Sequence, residues 1–161
     1  MLRPMVSPRE APRPDAATRA DGPSLVVVGI DGSDSAWHAL AWACGHARRA
    51  RCPVLAVYVT TSGYWDRMVP VGEASVALAE AAATTAAQLR AEIDRTSASY
   101  GVPVRFEHRY GDPARELMTA ARELSADLLV VGTSDQLVHR VAGALSGRLA
   151  RCRQVPVVVV P

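Results

Sequence analysis

Two turns in the chain carry residues whose types and spacing could do chemistry. Leu128 to Val131 is a short unbroken apolar run that suits a strand buried on both faces, and Gly132 ends it where the backbone must turn sharply. Thr133, Ser134, Asp135 and Gln136 follow as a polar loop. After them, Gly143 to about Cys152 can wind as a helix whose first free N–H groups point back toward the strand end. In an open parallel sheet, ligands sit beyond the carboxyl ends of the strands, and a helix N-terminus there favours an anion. Phosphate is therefore the first ligand class to test. The second turn, Asp31, Gly32 and Ser33, leaves the apolar run Leu25 to Ile30 in the same manner. If both strands lie side by side in one parallel sheet, the Asp31 and Gly132 turns face each other across a shared cleft.

Other reactive residue types offer less. His38, His46, His108 and His139 include no i, i+4 metal pair and no identifiable activated Ser or Cys partner. Cys44, Cys52 and Cys152 are odd in number and lack C-x-x-C spacing. They read as reduced packing thiols in a cytoplasm, not as a disulfide frame or a metal site, so no metal ligands are assigned among them.

The elements that must position these turns follow from composition and pattern. With 161 residues, 49% of them hydrophobic, the chain fits one domain with a substantial core. All 18 basic residues are Arg, spread among the acids without an aromatic-lined stripe, and the net charge is +2. No nucleic-acid partner is expected from that distribution. No apolar run approaches the roughly 18 residues of a membrane span, so no membrane partner is expected and the protein should be soluble. Residues 1–23 carry Pro4, Pro8, Pro12, Pro14 and Pro23 among scattered Arg and Asp, and read as a disordered tail ahead of a domain spanning 24–161.

Along that domain, Leu25 to Ile30 is the first strand. A helix capped by Ser33 or Asp34 follows, with Ala36, Leu40, Ala43, Ala47 and Ala50 on one face. Pro53 to Val59 is the second strand, and Thr60 to Gly72 is either a flap or an ordinary loop. Glu73 to about Ser99 keeps helical spacing through Ala79, Ala82, Ala86, Leu89 and Ile93. Val102 to His108 reads as a third strand at a sheet edge. Asp112 caps a helix with Pro113 at its first position and Leu117, Ala120, Ala121 and Leu124 buried. The Leu128 strand, the Gly143 helix and the valine-rich strand Val157 to Val160 complete the chain. Strict alternation predicts an α/β fold, a doubly wound parallel sheet of five strands with helices on both faces.

These residues resemble the universal stress protein family. VVVGIDGSDSAWHALAWACGHARR is similar to that family's first strand, aspartate turn and helix, YGDPARELMTAARELSADLLVVGT to its third helix and fourth strand, and AGALSGRLARCRQVPVVVV to its closing helix and strand. The resemblance runs from about Leu25 to Pro161. It implies strand order 3-2-1-4-5, a homodimer paired through Val157, Val158, Val159 and Val160, and a non-enzymatic role in stress adaptation. ATP-binding members carry glycine, two residues, glycine, nine residues, glycine and then a hydroxyl residue. Gly132 matches the first glycine, but Asp135 stands at the second. Gly143 matches the third after only seven residues, Gln136 to Ala142, and Ala144 replaces the hydroxyl. Ser146 matches a second hydroxyl position. The cofactor-binding set the resemblance implies is thus Ile30, Asp31, Val54, Gly132, Gly143 and Ser146. Asp31 would lie at the base or ribose, Val54 beside the adenine, and the last three around the phosphates.

A carboxylate about 4 Å from one phosphate charge costs roughly 4 kcal/mol at an effective dielectric near about 20. Asp135 must then turn away, or hold Mg²⁺ between itself and the phosphates; Arg140 or Arg148 could also compensate. Two readings stay open, an ATP-binding regulatory protein and a nucleotide-free dimeric interaction module. An ATP pyrophosphatase-like enzyme is weaker, because Ile30 and Asp31 replace the Ser-Gly pair of that loop. The absence of Lys removes a receiver-type phosphoacceptor site, and no G-x-G-x-x-G supports a dinucleotide.

Overall fold

In the computed structural model, which describes residues 25–61, 73–133 and 142–161, the apolar runs become strands and the amphipathic runs helices in strict alternation. The order is β1 (Val26–Gly29), α1 (Asp34–Ala50), β2 (Val54–Thr60), α2 (Glu73–Tyr100), β3 (Val104–Tyr110), α3 (Pro113–Glu123), β4 (Leu128–Gly132), α4 (Ala142–Arg151) and β5 (Val157–Val160). The five strands form one parallel sheet in the order β3-β2-β1-β4-β5, as expected. The tail expected at residues 1–23, the flap candidate after Thr61, and Asp135 and Arg140 lie outside the described residues.

Winding outward from β1 to β3 and then crossing back to β4 puts α1 and α2 on one face and α3 and α4 on the other. Alternate side chains of each strand feed two cores. Val26, Val28 and Ile30 pack with Leu40, Cys44, Leu89 and Ile93. Val27, Leu55, Val57 and Leu129 pack with Leu117, Met118 and Leu149 on the opposite side. Burial on both faces is why the inner strands read as unbroken apolar runs. Burial also pushes the Cys44 thiol up to about 11, so it stays protonated and inert at neutral pH.

Local signals set the helix starts. Ser33 has extended backbone and its Oγ accepts the Ala36 N–H at 3.2 Å, capping α1. Ser33→Ala is expected to cost about 1 kcal/mol of unfolding free energy, with Ser33→Gly costing only a few tenths of that scale, as urea denaturation would measure. Asp112 caps α3 in the same way, its Oδ1 accepting the Arg115 N–H at 3.0 Å.

Some expectations need correcting. The third strand begins at Val104 rather than Val102 and runs on to Tyr110, because Gly101 takes a left-handed φ of 67° and the β2 ladder continues through Val59↔Arg109 and Thr60↔Tyr110. The edge position is as expected. Of the five helix positions expected on the buried face, Ala79 is exposed while Ala82, Ala86, Leu89 and Ile93 are buried, the helix meeting the core from Ala82 onward. Leu124 is likewise exposed, as the residue that ends α3. Cys152 is a surface thiol donating to the Arg148 carbonyl at 3.3 Å, while Cys44 and Cys52 are buried.

Candidate functional site

Because the chain reverses direction across the sheet between β1 and β4, their carboxyl ends diverge into a crevice. A cavity of about 300 Å³ lies there. Its floor is Gly29, Val57 and Val131 from the sheet, one wall is the start of α1, and the other is Ala114 and Leu117 of α3 with Leu145 of α4. The walls are mostly apolar, as suits a planar organic group with a few polar anchors.

Asp31 and Gly132 both line this cavity, so the two turns do share one cleft, and Ile30 lines it with them. Asp31 is exposed, and its Oδ1 accepts the Ser33 N–H at 2.9 Å and the Ser33 hydroxyl at 2.6 Å. That turn leaves Oδ2 with no hydrogen-bond partner among the described residues, and so able to accept from a ligand hydroxyl or amine. Ser35, the one buried polar residue among the described residues, shares a 3.2 Å hydroxyl contact with Ser33. Gly132 abuts the first turn of α1 so closely that a Cβ there would stand 2.5 Å from the Ser35 carbonyl oxygen. The turn after it is held down by the Thr133 N–H donating to the Val160 carbonyl at 2.8 Å.

The remaining implied residues are placed differently. Val54 does not line the cavity. It is the first residue of β2, fully buried and in register with Val26 and Val104, at the amino end of the sheet. Val57 and Val59, further along the same strand, line the cavity instead. Gly143 lies in the first turn of α4, whose leading N–H groups have no partner within the helix. Ser146 is half-buried on α4 and is not among the described lining residues; α4 contributes Leu145 and Arg148.

Sequence reasoning gave Asp112 a capping role and Arg148 a possible compensating one, but did not bring the two together beside the cavity. Arg148 Nη1 and Nη2 donate to the two carboxylate oxygens of Asp112, each at 2.8 Å, bridging α4 to the start of α3. The Arg148 hydrogen bonds hold the Asp112 carboxyl below the usual carboxylate range, against an opposing push from burial. A carboxyl group whose folded value lies below its unfolded value, about 3.9, contributes stability above that pH and loses it as pH falls through the folded value. Acid titration of the wild type should therefore show a loss of stability below about pH 4 that is shallower in Asp112→Asn, measured as urea midpoints at pH 5 and pH 3. Equal slopes in the two proteins would remove Asp112 from the account.

A doubly wound α/β domain with a crevice at its switch point is the class that this fold and cavity define. The chain belongs to the universal stress protein family, whose family model matches residues 24–161. It is 26% identical over 137 residues to a universal stress protein of Methanocaldococcus jannaschii, a match covering 84% of this chain and 80% of that protein. Among solved structures, the universal stress protein UspA of Lactobacillus plantarum superposes with a TM-score of 0.73 at 23% identity, covering 86% of this chain and 97% of that one. A universal stress protein family member of Arabidopsis thaliana, solved with AMP bound, superposes with a TM-score of 0.61 at 18% identity, covering 86% and 91%.

Proposed function

We propose that this chain is a non-enzymatic, homodimeric stress-response protein that binds an adenine nucleotide in the cavity between β1, β4, α3 and α4. The observation that carries the proposal is that Ile30, Asp31 and Gly132 converge on one mostly apolar cavity at the switch point. Universal stress proteins of this fold have been solved with AMP, with dAMP and with cAMP. The residues present fit such a group. Val57, Val59 and Leu117 offer apolar walls for a base, and Asp31 offers an acceptor for a ribose hydroxyl. The first turn of α4, with Gly143, offers free N–H groups for phosphate, and Ser146 a hydroxyl close by. ATP with Mg²⁺ is the fuller form of the proposal, with Asp135 holding the cation between itself and the phosphates.

Calorimetric titration of nucleotide-free protein with AMP and ATP, with and without Mg²⁺, tests it. Saturable binding at micromolar to submillimolar concentration is expected; no heat up to millimolar nucleotide would sink the reading. Asp135→Gly strengthens ATP binding if the carboxylate repels phosphate, and weakens it if the carboxylate holds magnesium.

The nucleotide-free interaction module is favoured by the sequence departures at Asp135 and Ala144, which remove a glycine and a hydroxyl from the phosphate loop. Both readings share the dimer. β5 is an edge strand of four valines, and Val159 is 40% exposed on it, an edge that would template aggregation if left unpaired. Val157 to Val160 are the proposed pairing surface, in an isologous contact that runs the strand antiparallel to its own copy, so that both copies of a central residue lie close to the two-fold axis. Val159→Asp therefore sets like charges against each other, and light scattering at micromolar concentration should show the mass fall from dimer to monomer. An unchanged dimer in that variant would move the interface elsewhere. Residence in the cytoplasm accompanies the proposal, supported by three free thiols. Among the described residues no helix is long and apolar enough to cross a membrane.

A further inference from the structure

We infer that Asp112 sets the charge a ligand of this cavity must carry, by competing with that ligand for Arg148; the inference rests on the nucleotide reading above. Among the described residues that line the cavity, Asp31 and Arg148 alone are charged. An anionic group entering it has Arg148 as its one cationic partner among the described residues. Arg148 is already engaged, in a two-pronged contact with both oxygens of Asp112 at 2.8 Å. Paired donation of this kind is the strongest arrangement open to a guanidinium and a carboxylate.

The two partners do not depend on each other equally. Asp112 caps α3, accepts the Arg115 N–H at 3.0 Å, and sits where the helix dipole favours negative charge. It stays ionised and hydrogen-bonded when Arg148 leaves. Arg148 has no other acceptor among the described residues, and both side chains are about half exposed, at 54% and 42%, so packing does not lock either of them. An entering phosphate can therefore take the guanidinium while Asp112 keeps its place as a cap. A neutral nucleoside gains nothing from Arg148. A phosphate of one or two charges must displace one carboxylate, and a polyphosphate displaces it more readily. Asp112 is on this account a specificity-determining residue that keeps the cavity's cation from weakly charged ligands.

Titration of the full chain with adenosine, AMP and ATP separates the outcomes. Asp112→Asn keeps the cap, because asparagine caps a helix as well as aspartate, and removes the competitor. It is expected to bind AMP about fivefold more tightly than the wild type, the equivalent of one exposed ion pair, with adenosine affinity unchanged. Arg148→Gln should weaken AMP and ATP and leave adenosine alone, and the double variant should match Arg148→Gln. Asp112→Ser, also a cap, repeats the test if circular dichroism shows the asparagine variant unfolded. Adenosine binding with no gain for AMP in either Asp112 variant overturns the inference and leaves the nucleotide reading standing. Failure of all three ligands to bind the wild type and every variant overturns both.

Discussion

Gly132→Ala is expected to unfold at a far lower urea concentration than the wild type, with a loss of about 3 kcal/mol or more. The added methyl would stand 2.5 Å from the Ser35 carbonyl oxygen, 2.6 Å from its carbon and 2.9 Å from the Ala36 nitrogen. Overpacking commonly costs about 1–3 kcal/mol when side chains can yield. Here all three obstacles are backbone. They belong to the first turn of α1, and Ala36 is also tied down by the Ser33 cap. Relief requires moving α1 off β4, which opens the cavity, so the nucleotide affinity proposed above should fall together with stability. Gly29→Ala is the internal comparison: its nearest atom is the end of the Leu117 side chain at 3.0 Å, which can rotate away. A Gly132→Ala protein within about 0.5 kcal/mol of wild type, the range of neutral surface changes, would refute this account.

Leu129→Ala is the second large effect, expected at about 3 kcal/mol with a range of about 2–5. Leu129 is fully buried on the inner strand β4, in the core beneath α3 and α4. Truncation removes its methyl groups from contact and leaves a void that strands paired on both sides cannot close. Leu78 on α2 is 68% exposed, so Leu78→Ala should change stability by less than about 0.5 kcal/mol. The pair tests whether burial, and not residue type, decides the cost. Equal losses in the two variants would contradict the two-core description.

The fold was legible in the chain because its signals were redundant. Valine runs bounded by glycine and proline, helices started by Ser33 and Asp112, and strict alternation all required the same layered sheet. Part of the cavity's lining was legible too, since Asp31 and Gly132 each follow or end an apolar run and the topology carries both ends to one rim. Val54 was misplaced although the direction of β2 held the information: as first residue of a strand whose carboxyl end faces the crevice, it must lie at the far end. Three residues along, Val57 pairs with Gly29 and lines the cavity. The Arg148 contact with Asp112 was harder to read. Its partners stand 36 positions apart on two different helices, and spacing within one element says nothing about such a contact. The only pointer was indirect: Asp112 caps α3 at the carboxyl end of β3, on the rim where α4 also begins.

The contact between Gly132 and α1 bears on how this protein could respond to what it binds. With main chain against main chain and no side chain between them, β4 and α1 behave as one anvil, unable to slide without breaking the cap. On the opposite wall, α3 and α4 touch the cavity through side chains, Leu117, Leu145 and Arg148, which can repack. A repacking of that wall on binding would be felt by α4, and α4 leads into β5, the edge strand proposed above to pair with a second copy.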